Sequence, residues 1–446
     1  MSSGPNPFVI GGGISGLSAT YYLQKTGITP TLVERAPRLG GVITTEVVEG
    51  CVIEGGPDSF LAAKPWAMDL IRELGLADEV IASNDDRRVT YIWKGGRLVP
   101  LPDGLMMMVP TKIMPVAASS LLGWGTKIKM GLEYFHKPGE GAGRDRSVAD
   151  FVAEHYGQEA VDYLAEPLLA GVYGGDPSRL SIVSTLPRFA EMEQRFGSLT
   201  RGVLAARRQA NANGNSGGGA LFKTLKGGLG QLVDAIRPSV KQVRQGNVEA
   251  VEQGRIRIDG QWTEASHVVL ACPAHEAARL LSAVDTRLAE LLGGVEYASS
   301  MTVAFGYRRE NLHHPLNGFG FLVPKRERNA LVACTWVGTK FPFRVPDSHA
   351  VLRCFAQDGA DVGELRRDLE RIMGFTAEPA FTRVSRWPRS MAQYTVGHAQ
   401  RVEEIKTRVA RHSWLHLAGN AYEGIGIPDC IRMGRDAAAK IAKSAR

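Results

Sequence analysis

The chain has 446 residues, too many for one compact core, so two or three domains are expected. Its 44% hydrophobic and 22% charged residues are those of a soluble globular protein, which excludes a disordered or fibrous chain. A formal charge of +7 suits anionic ligands or an acidic membrane surface, but no basic block interleaved with aromatics and no zinc-finger spacing points to nucleic acid.

Cys51, Cys272, Cys334, Cys354 and Cys430 are scattered and form no C-x-x-C. That argues for a reducing, cytoplasmic compartment and against a disulfide scaffold. The histidines show no ligand spacing, so no metal is expected. With a first strand opening near Phe8, no signal peptide is expected, and no apolar run reaches the ~18–20 residues of a membrane-spanning helix.

Taken in order, Phe8–Ile10 is predicted as a strand, Ile14–Lys25 as a helix and Thr29–Val33 as a second strand closed by Glu34. Between the first two, Gly11, Gly13 and Gly16 give G-x-G-x-x-G. Strand, glycines, helix, strand and acid fall in the order of a dinucleotide-binding βαβ unit: a tight turn at Gly11, backbone approach to a pyrophosphate at Gly13, close helix–sheet packing at Gly16, and Glu34 for a ribose. Val42–Glu49 reads as a strand, Gly55–Ser59 as a glycine turn and 65–76 as a helix.

Residues 87–102 alternate around Gly95-Gly96 and predict a hairpin. Residues 105–200 are mostly helical. Leu105–Trp124 is apolar but interrupted, and either lies on a membrane or covers a greasy cavity. Ser147 is a candidate helix cap, and 166–181 is turn-rich. Residues 208–219 read as a flexible loop. A helix opens after Gly230, a strand runs over 240–251, and His267–Ala271 is a short buried strand. Further strands fall around 301–307, 319–323, 330–336 and 351–356, with a helix over 362–373. A strand at 414–418 and a closing helix from Ile431 to Ala442 complete the chain.

The fold class is therefore α/β: a Rossmann-like nucleotide domain in three segments, 1–86, 220–290 and 406–446. An α+β substrate domain comes from the hairpin 87–104 and from 291–405. A helical subdomain spans 105–207, and the loop 208–219 follows it.

Gly11, Gly13, Gly16 and Glu34, followed by Arg38-Leu39-Gly40-Gly41, resemble the N-terminal signature of the flavin-dependent amine-oxidase superfamily. Three further stretches narrow this: Gly55-Gly56-Pro57-Asp58-Ser59-Phe60, the run from Ala170 to Pro177, and the run from Gly419 to Ile431. Together they resemble the oxygen-dependent porphyrinogen oxidases, which act on coproporphyrinogen III or protoporphyrinogen IX in haem biosynthesis. Val42 stands where amine oxidases usually carry arginine, which weakens a reading as an amine oxidase or desaturase.

The resemblance implies non-covalent FAD, removal of six electrons in three rounds, and reoxidation by O2 with release of H2O2. It implies that Gly11, Gly13 and Gly16 hold the pyrophosphate and Glu34 the ribose. Arg38, Gly40, Gly41 and Gly56 would wrap the phosphates and flavin edge, and Val248 would meet the adenine. Gly419, Gly426, Ile427 and Pro428 would meet the isoalloxazine. Trp387 and Tyr394 match a stretch that ends near the flavin, with core packing as the alternative. No acid–base pair, nucleophile or metal cluster stands out. The backbone of Gly171 and Tyr173 would accept a pyrrole N–H proton, or Tyr173 is an ordinary turn aromatic. Lys64 is either a partner for a substrate propionate or a solvated lysine capping a loop. Coproporphyrinogen III is the favoured substrate, with protoporphyrinogen IX the alternative. A peripheral membrane contact and a haem-pathway partner such as a ferrochelatase complete the expectations.

Overall fold

The strand Pro7–Ile10 is buried along its whole length and forms the centre of a five-stranded parallel sheet. The sheet order is Val243–Gln245, Thr31–Glu34, Pro7–Ile10, His267–Leu270, Leu415–Leu417. Unbroken apolar runs rather than alternation suit such strands, because a parallel sheet is buried on both faces. The order reverses at Pro7–Ile10, so its carboxyl end is the crevice where α/β sheets bind ligands. The chain is described here from a computed structural model over residues 6–139, 141–212 and 220–444.

Two helices, Ile14–Lys25 and Ile427–Ser444, pack against each other on this sheet. The closing helix was expected from Ile431; it starts four residues earlier, with Pro428 in its first turn, where a missing N–H costs nothing. The stretch expected as one strand over 240–251 is two. Val243–Gln245 joins the parallel sheet. After Gly246-Asn247, Val248–Glu252 opens an antiparallel meander with Gly254–Ile258 and Gln261–Ala265. The break is held by Gly246 N–H donating to Glu34 O and Asn247 N–H to Asp259 Oδ1.

A seven-stranded sheet forms the second layer. Its order is Phe381–Gln393, Glu296–Arg308, His349–Gln357, Leu331–Trp336, Gly320–Leu322, Thr90–Lys94, Arg97–Pro100. The expected hairpin thus becomes one edge. The other edge, Phe381–Gln393, has little hydrophobic alternation and carries Pro388, which an edge strand tolerates.

The third part is helical, with its own core around Phe151, Tyr156 and Leu164. Ser147 Oγ accepts from Asp150 N–H, as a cap should. Two expectations fail here. The turn-rich stretch contains a helix, Glu166–Tyr173, stopped by Gly174 in the left-handed region (φ 58). The loop expected over 208–219 is helical as far as Ala212, because Leu199–Ala212 continues through it. Its remaining residues lie outside the described ones.

A buried ionic knot ties these helices. His155 places Nδ1 3.1 Å from Glu133 Oε1 and Nε2 3.2 Å from Glu193 Oε1. Arg146 also donates to Glu193, and the Glu133 carboxylate accepts from Leu199 N–H and the Ser198 and Thr200 hydroxyls. Burial alone would lower the His155 pKa, but the two carboxylates outweigh it and raise it above 6.5. The cation's contribution is therefore complete below about pH 6.5 and lost as pH rises through the raised value. His155→Gln should lower stability by about 3 kcal/mol at about pH 6 and flatten the alkaline fall. Denaturation midpoints measured against pH check this; equal slopes for both proteins would refute it.

Candidate functional site

The cradle is built from the backbone at the carboxyl end of Pro7–Ile10. Gly11 has φ 107, and a Cβ there would sit 2.7 Å from Ala271 O. A Cβ on Gly16 would sit 1.9 Å from Gly11 O, so Gly16 sets the helix against the turn from behind rather than lining the opening. Gly13 differs. Its backbone is extended (φ −71, ψ 178), and no atom lies within 4 Å of a Cβ there. Nothing in the protein needs a glycine at 13; the empty space is usable by a ligand that touches the backbone. Glu34 Oε2 accepts from Gly12 N–H at 2.6 Å, and Oε1 from Ala36 N–H at 2.7 Å, which fixes the carboxylate at the rim.

A second loop docks on the first. Gly40 N–H donates to Gly12 O at 2.8 Å, bringing Gly40 and Gly41 to the cradle. Arg38, expected to wrap phosphates, does not face the cavity. Its guanidinium folds back onto the carbonyls of Leu39, Gly41 and Ile43, which converge there, so it shapes the loop instead.

One continuous cavity of about 1490 Å³ runs from this cradle to the seven-stranded sheet. Pockets for one small molecule hold roughly 300–1,000 Å³, so there is room for a dinucleotide and a second large ligand. Gly56, Val248, Trp387, Gly419 and the Gly426–Pro428 turn all line it, as do Lys64, Gly171 and Tyr173. Val248 O is already taken by Arg279 Nη2 at 2.9 Å. Trp387 Nε1 donates to Gly55 O at 2.8 Å, and Thr302 Oγ1 donates to the same carbonyl, so the seven-stranded sheet pins the Gly55–Ser59 turn. Tyr394 Oη donates to Asn420 O and accepts from Gly424 N–H, holding the C-terminal loop.

Gly171 and Tyr173 form the last turn of a helix. The Tyr173 carbonyl accepts from Gln393 Nε2 at 2.9 Å, and burial pushes its phenol up to about 12. Lys64 is not a free cation. It precedes the helix Pro65–Glu73 and reaches across to the buried Asp429, 2.6 and 2.8 Å from its two oxygens. Asp429 was overlooked as a site residue, although it lies inside the C-terminal motif, one residue past Pro428.

A backbone cradle, a fixed acid and two helix N-termini aimed at one cavity are what a flavin dinucleotide requires. The comparisons agree. The model of the flavin containing amine oxidoreductases matches residues 14–442. The chain belongs to that family. This flavin oxidoreductase is 33% identical to the coproporphyrinogen III oxidase of Bacillus subtilis (strain 168), over 98% of both chains. It is 30% identical to the protoporphyrinogen oxidase of Bos taurus, over 97% of both. A solved structure from Exiguobacterium sp. 255-15 matches with a TM-score of 0.86 at 30% identity, over 99% of both chains. The expected cofactor, FAD, follows from that membership.

The two glycines should separate by experiment. Gly13→Ala should leave the melting temperature of the flavin-free oxidoreductase unchanged and weaken FAD binding at least about tenfold, by about 1.4 kcal/mol. Gly16→Ala should cost about 1–3 kcal/mol of stability through overpacking. Calorimetry of the apoprotein and FAD titration measure both; undiminished FAD affinity in Gly13→Ala would remove the close-approach argument.

Proposed function

We propose that this flavoprotein oxidises coproporphyrinogen III to coproporphyrin III in haem biosynthesis, in three two-electron rounds that each convert O2 to H2O2. The carrying observation is the single cavity that joins the dinucleotide cradle to a second pocket between the helix Glu166–Tyr173 and the seven-stranded sheet. That pocket has apolar walls from Leu168, Leu322, Val332 and Phe355, suited to a tetrapyrrole face, and charged groups at its margins, suited to propionates. Near-full-length similarity to a coproporphyrinogen III oxidase supports the same reading.

When bound, the flavin supplies hydride acceptance and reaction with oxygen. The protein's part is positioning. The Gly11–Gly16 and Gly40–Gly41 loops would hold the pyrophosphate, Glu34 the ribose, and the Gly426–Pro428 turn the ring. Gly171 and Lys64 border the space left for substrate, and the Gly171 carbonyl, at a helix end, is the candidate acceptor for a pyrrole N–H. Exclusion of water by the apolar walls and a fixed approach distance then account for the rate. Protoporphyrinogen IX, with two propionates rather than four, is the alternative substrate.

The reading extends to the surroundings of the protein. Ile113, Met114, Trp124, Ile128, Leu132 and Phe135 are all at least 59% exposed. Positions 124, 128 and 132 fall on one face of the helix Trp124–Leu132. Lys127 donates to Ala117 O and Ser119 O, tying this helix to Ile113–Ala118, and sits 4.7 Å over the Trp124 ring. Arg201 and Arg207 complete a basic margin: Arg201 donates to His136 O and Arg207 to Thr111 O. An apolar face rimmed by cations fits the interface of an anionic bilayer. Among the described residues no helix is long and apolar enough to cross one.

Two measurements test these statements. The holoenzyme should turn colourless coproporphyrinogen III fluorescent with three O2 consumed per porphyrin, and favour it over protoporphyrinogen IX by about tenfold or more in kcat/KM. Flavin-loaded protein that leaves both porphyrinogens unoxidised would sink the proposal. In vesicle flotation, the protein should float with phosphatidylglycerol-containing vesicles and not with phosphatidylcholine alone, and Ile128→Glu should abolish it. Self-association that Ile128→Glu relieves, without flotation, would instead assign the face to a second copy.

A further inference from the structure

Three cations on the cavity wall each have a carboxylate of their own. Lys64 meets Asp429, Lys325 meets Asp176 at 3.0 Å, and Arg328 meets Glu166 at 2.8 Å. Behind the Gly55–Ser59 turn, three cations meet two carboxylates. Lys340 Nζ lies 2.9 and 3.2 Å from the oxygens of Asp58, and Arg353 Nη1 lies 3.6 Å from Asp58 Oδ2. Arg344 Nη2 donates to Glu54 at 3.0 Å, and also to Thr224 Oγ1 and Leu225 O. Arg353 donates in addition to Gly56 O.

The excess is buried. Arg353 is 4% exposed and Arg344 1%, and the Nε of each has no partner. Asp58, Lys340 and Arg353 all line the cavity, beside Thr335 and Phe355. Burial pushes the Glu54 carboxyl up, towards its neutral form, and lowers the pKa of Arg353; burial also works against ionised Asp58, but Lys340 and Arg353 outweigh it and hold its pKa well below the usual carboxylate range. A buried cation without full compensation is costly, and an anion that supplies the missing charge relieves the cost.

We propose that Lys340 and Arg353 form the docking point for one substrate carboxylate, and that Asp58 is a built-in competitor occupying those cations until the substrate arrives. This rests on the porphyrinogen reading and deepens it. Lys340 and Arg353 are specificity-determining residues; they favour whichever porphyrinogen carries a propionate at that corner. Lys340 also lies 5.2 Å from the Phe222 ring and Arg353 4.6 Å from the Phe355 ring, so each cation is set against an aromatic face that limits its reorientation. The signal in the sequence is a lone arginine inside the apolar run Val351–Ala356.

The test is a pair of substitutions with opposite signs. In the holoenzyme, Lys340→Gln should raise KM for coproporphyrinogen III about tenfold with kcat nearly unchanged, whereas Asp58→Asn should lower it several-fold, because it frees both cations. Fluorescence titration with coproporphyrin III and with its tetramethyl ester separates charge from shape. The two variants should move the Kd of the acid in opposite directions and leave that of the ester unmoved. Lys340→Arg should restore acid binding. Acid and ester affected alike, or both variants shifting the same way, would overturn the proposal and leave the cluster a purely structural one. Wild-type protein that oxidises no porphyrinogen would instead overturn the reading on which it rests. Should Asp58→Asn fail to fold, Lys340→Gln against Lys340→Arg on acid and ester decides alone.

Discussion

The close crossing of two helices from opposite ends of the chain is the constraint on which the site depends. A Cβ on Gly434 would sit 2.3 Å from Ser15 O and 2.9 Å from Ala19 N, so Ile427–Ser444 and Ile14–Lys25 touch backbone to backbone. Both helices begin at the cavity, one after Gly13 and the other after Gly426. Their N-termini carry unpaired N–H groups and partial positive charge, and the crossing aims both at the same ligand. A side chain at 434 would push the closing helix outward and move the Gly426–Pro428 turn away from the Gly11–Gly16 loop. The cofactor cradle is thus a consequence of helix packing, even though its two halves lie about four hundred residues apart in sequence.

Charge is distributed over this frame economically. Glu34 is fixed by two backbone N–H groups at one end, and Asp429 by Lys64 at the other. On the wall, Lys325 pairs with Asp176 and Arg328 with Glu166. Around Asp58 cations outnumber carboxylates. An enzyme that must orient a flat, nearly symmetric substrate gains more from one unbalanced corner than from a ring of exposed lysines, because a single low-dielectric anchor discriminates between orientations while scattered surface charges are screened.

The parts visible in the sequence were those governed by local rules. Gly11, Gly13, Gly16 and Glu34 are set by one turn and the strand after it, and the helix Val362–Met373 by its periodicity. The parts missed depended on partners that residue type alone does not announce. Arg38 has the type of a phosphate ligand, but three carbonyls of its own loop claim it first. Lys64 has the type of a propionate ligand, yet Asp429 is 365 residues away and nothing local announces the pair. Phe381–Gln393 lacks alternation because, at an edge, pairing with Glu296–Arg308 does the work of burial. Leu199–Ala212 ends in a Gln-Ala-Asn-Ala sequence that composition assigns to a loop, but helix propagation needs only weak propensity once the first turns are packed.

Substrate and cofactor halves of the cavity are coupled through one turn. Gly55 O accepts from Thr302 and Trp387, and Gly56 O from Arg353, all three on the seven-stranded sheet. On its other side Gly56 has no room for a side chain, because a Cβ would meet Val42 O at 1.8 Å, next to Gly41 of the cradle. The turn is therefore clamped between the seven-stranded sheet and the loop that carries Gly40 and Gly41. If Arg353 takes a substrate carboxylate as proposed, its displacement would be passed to the Gly56 carbonyl through their hydrogen bond. Positioning of substrate and of cofactor would then be a single mechanical problem, solved by a fold assembled from separated segments.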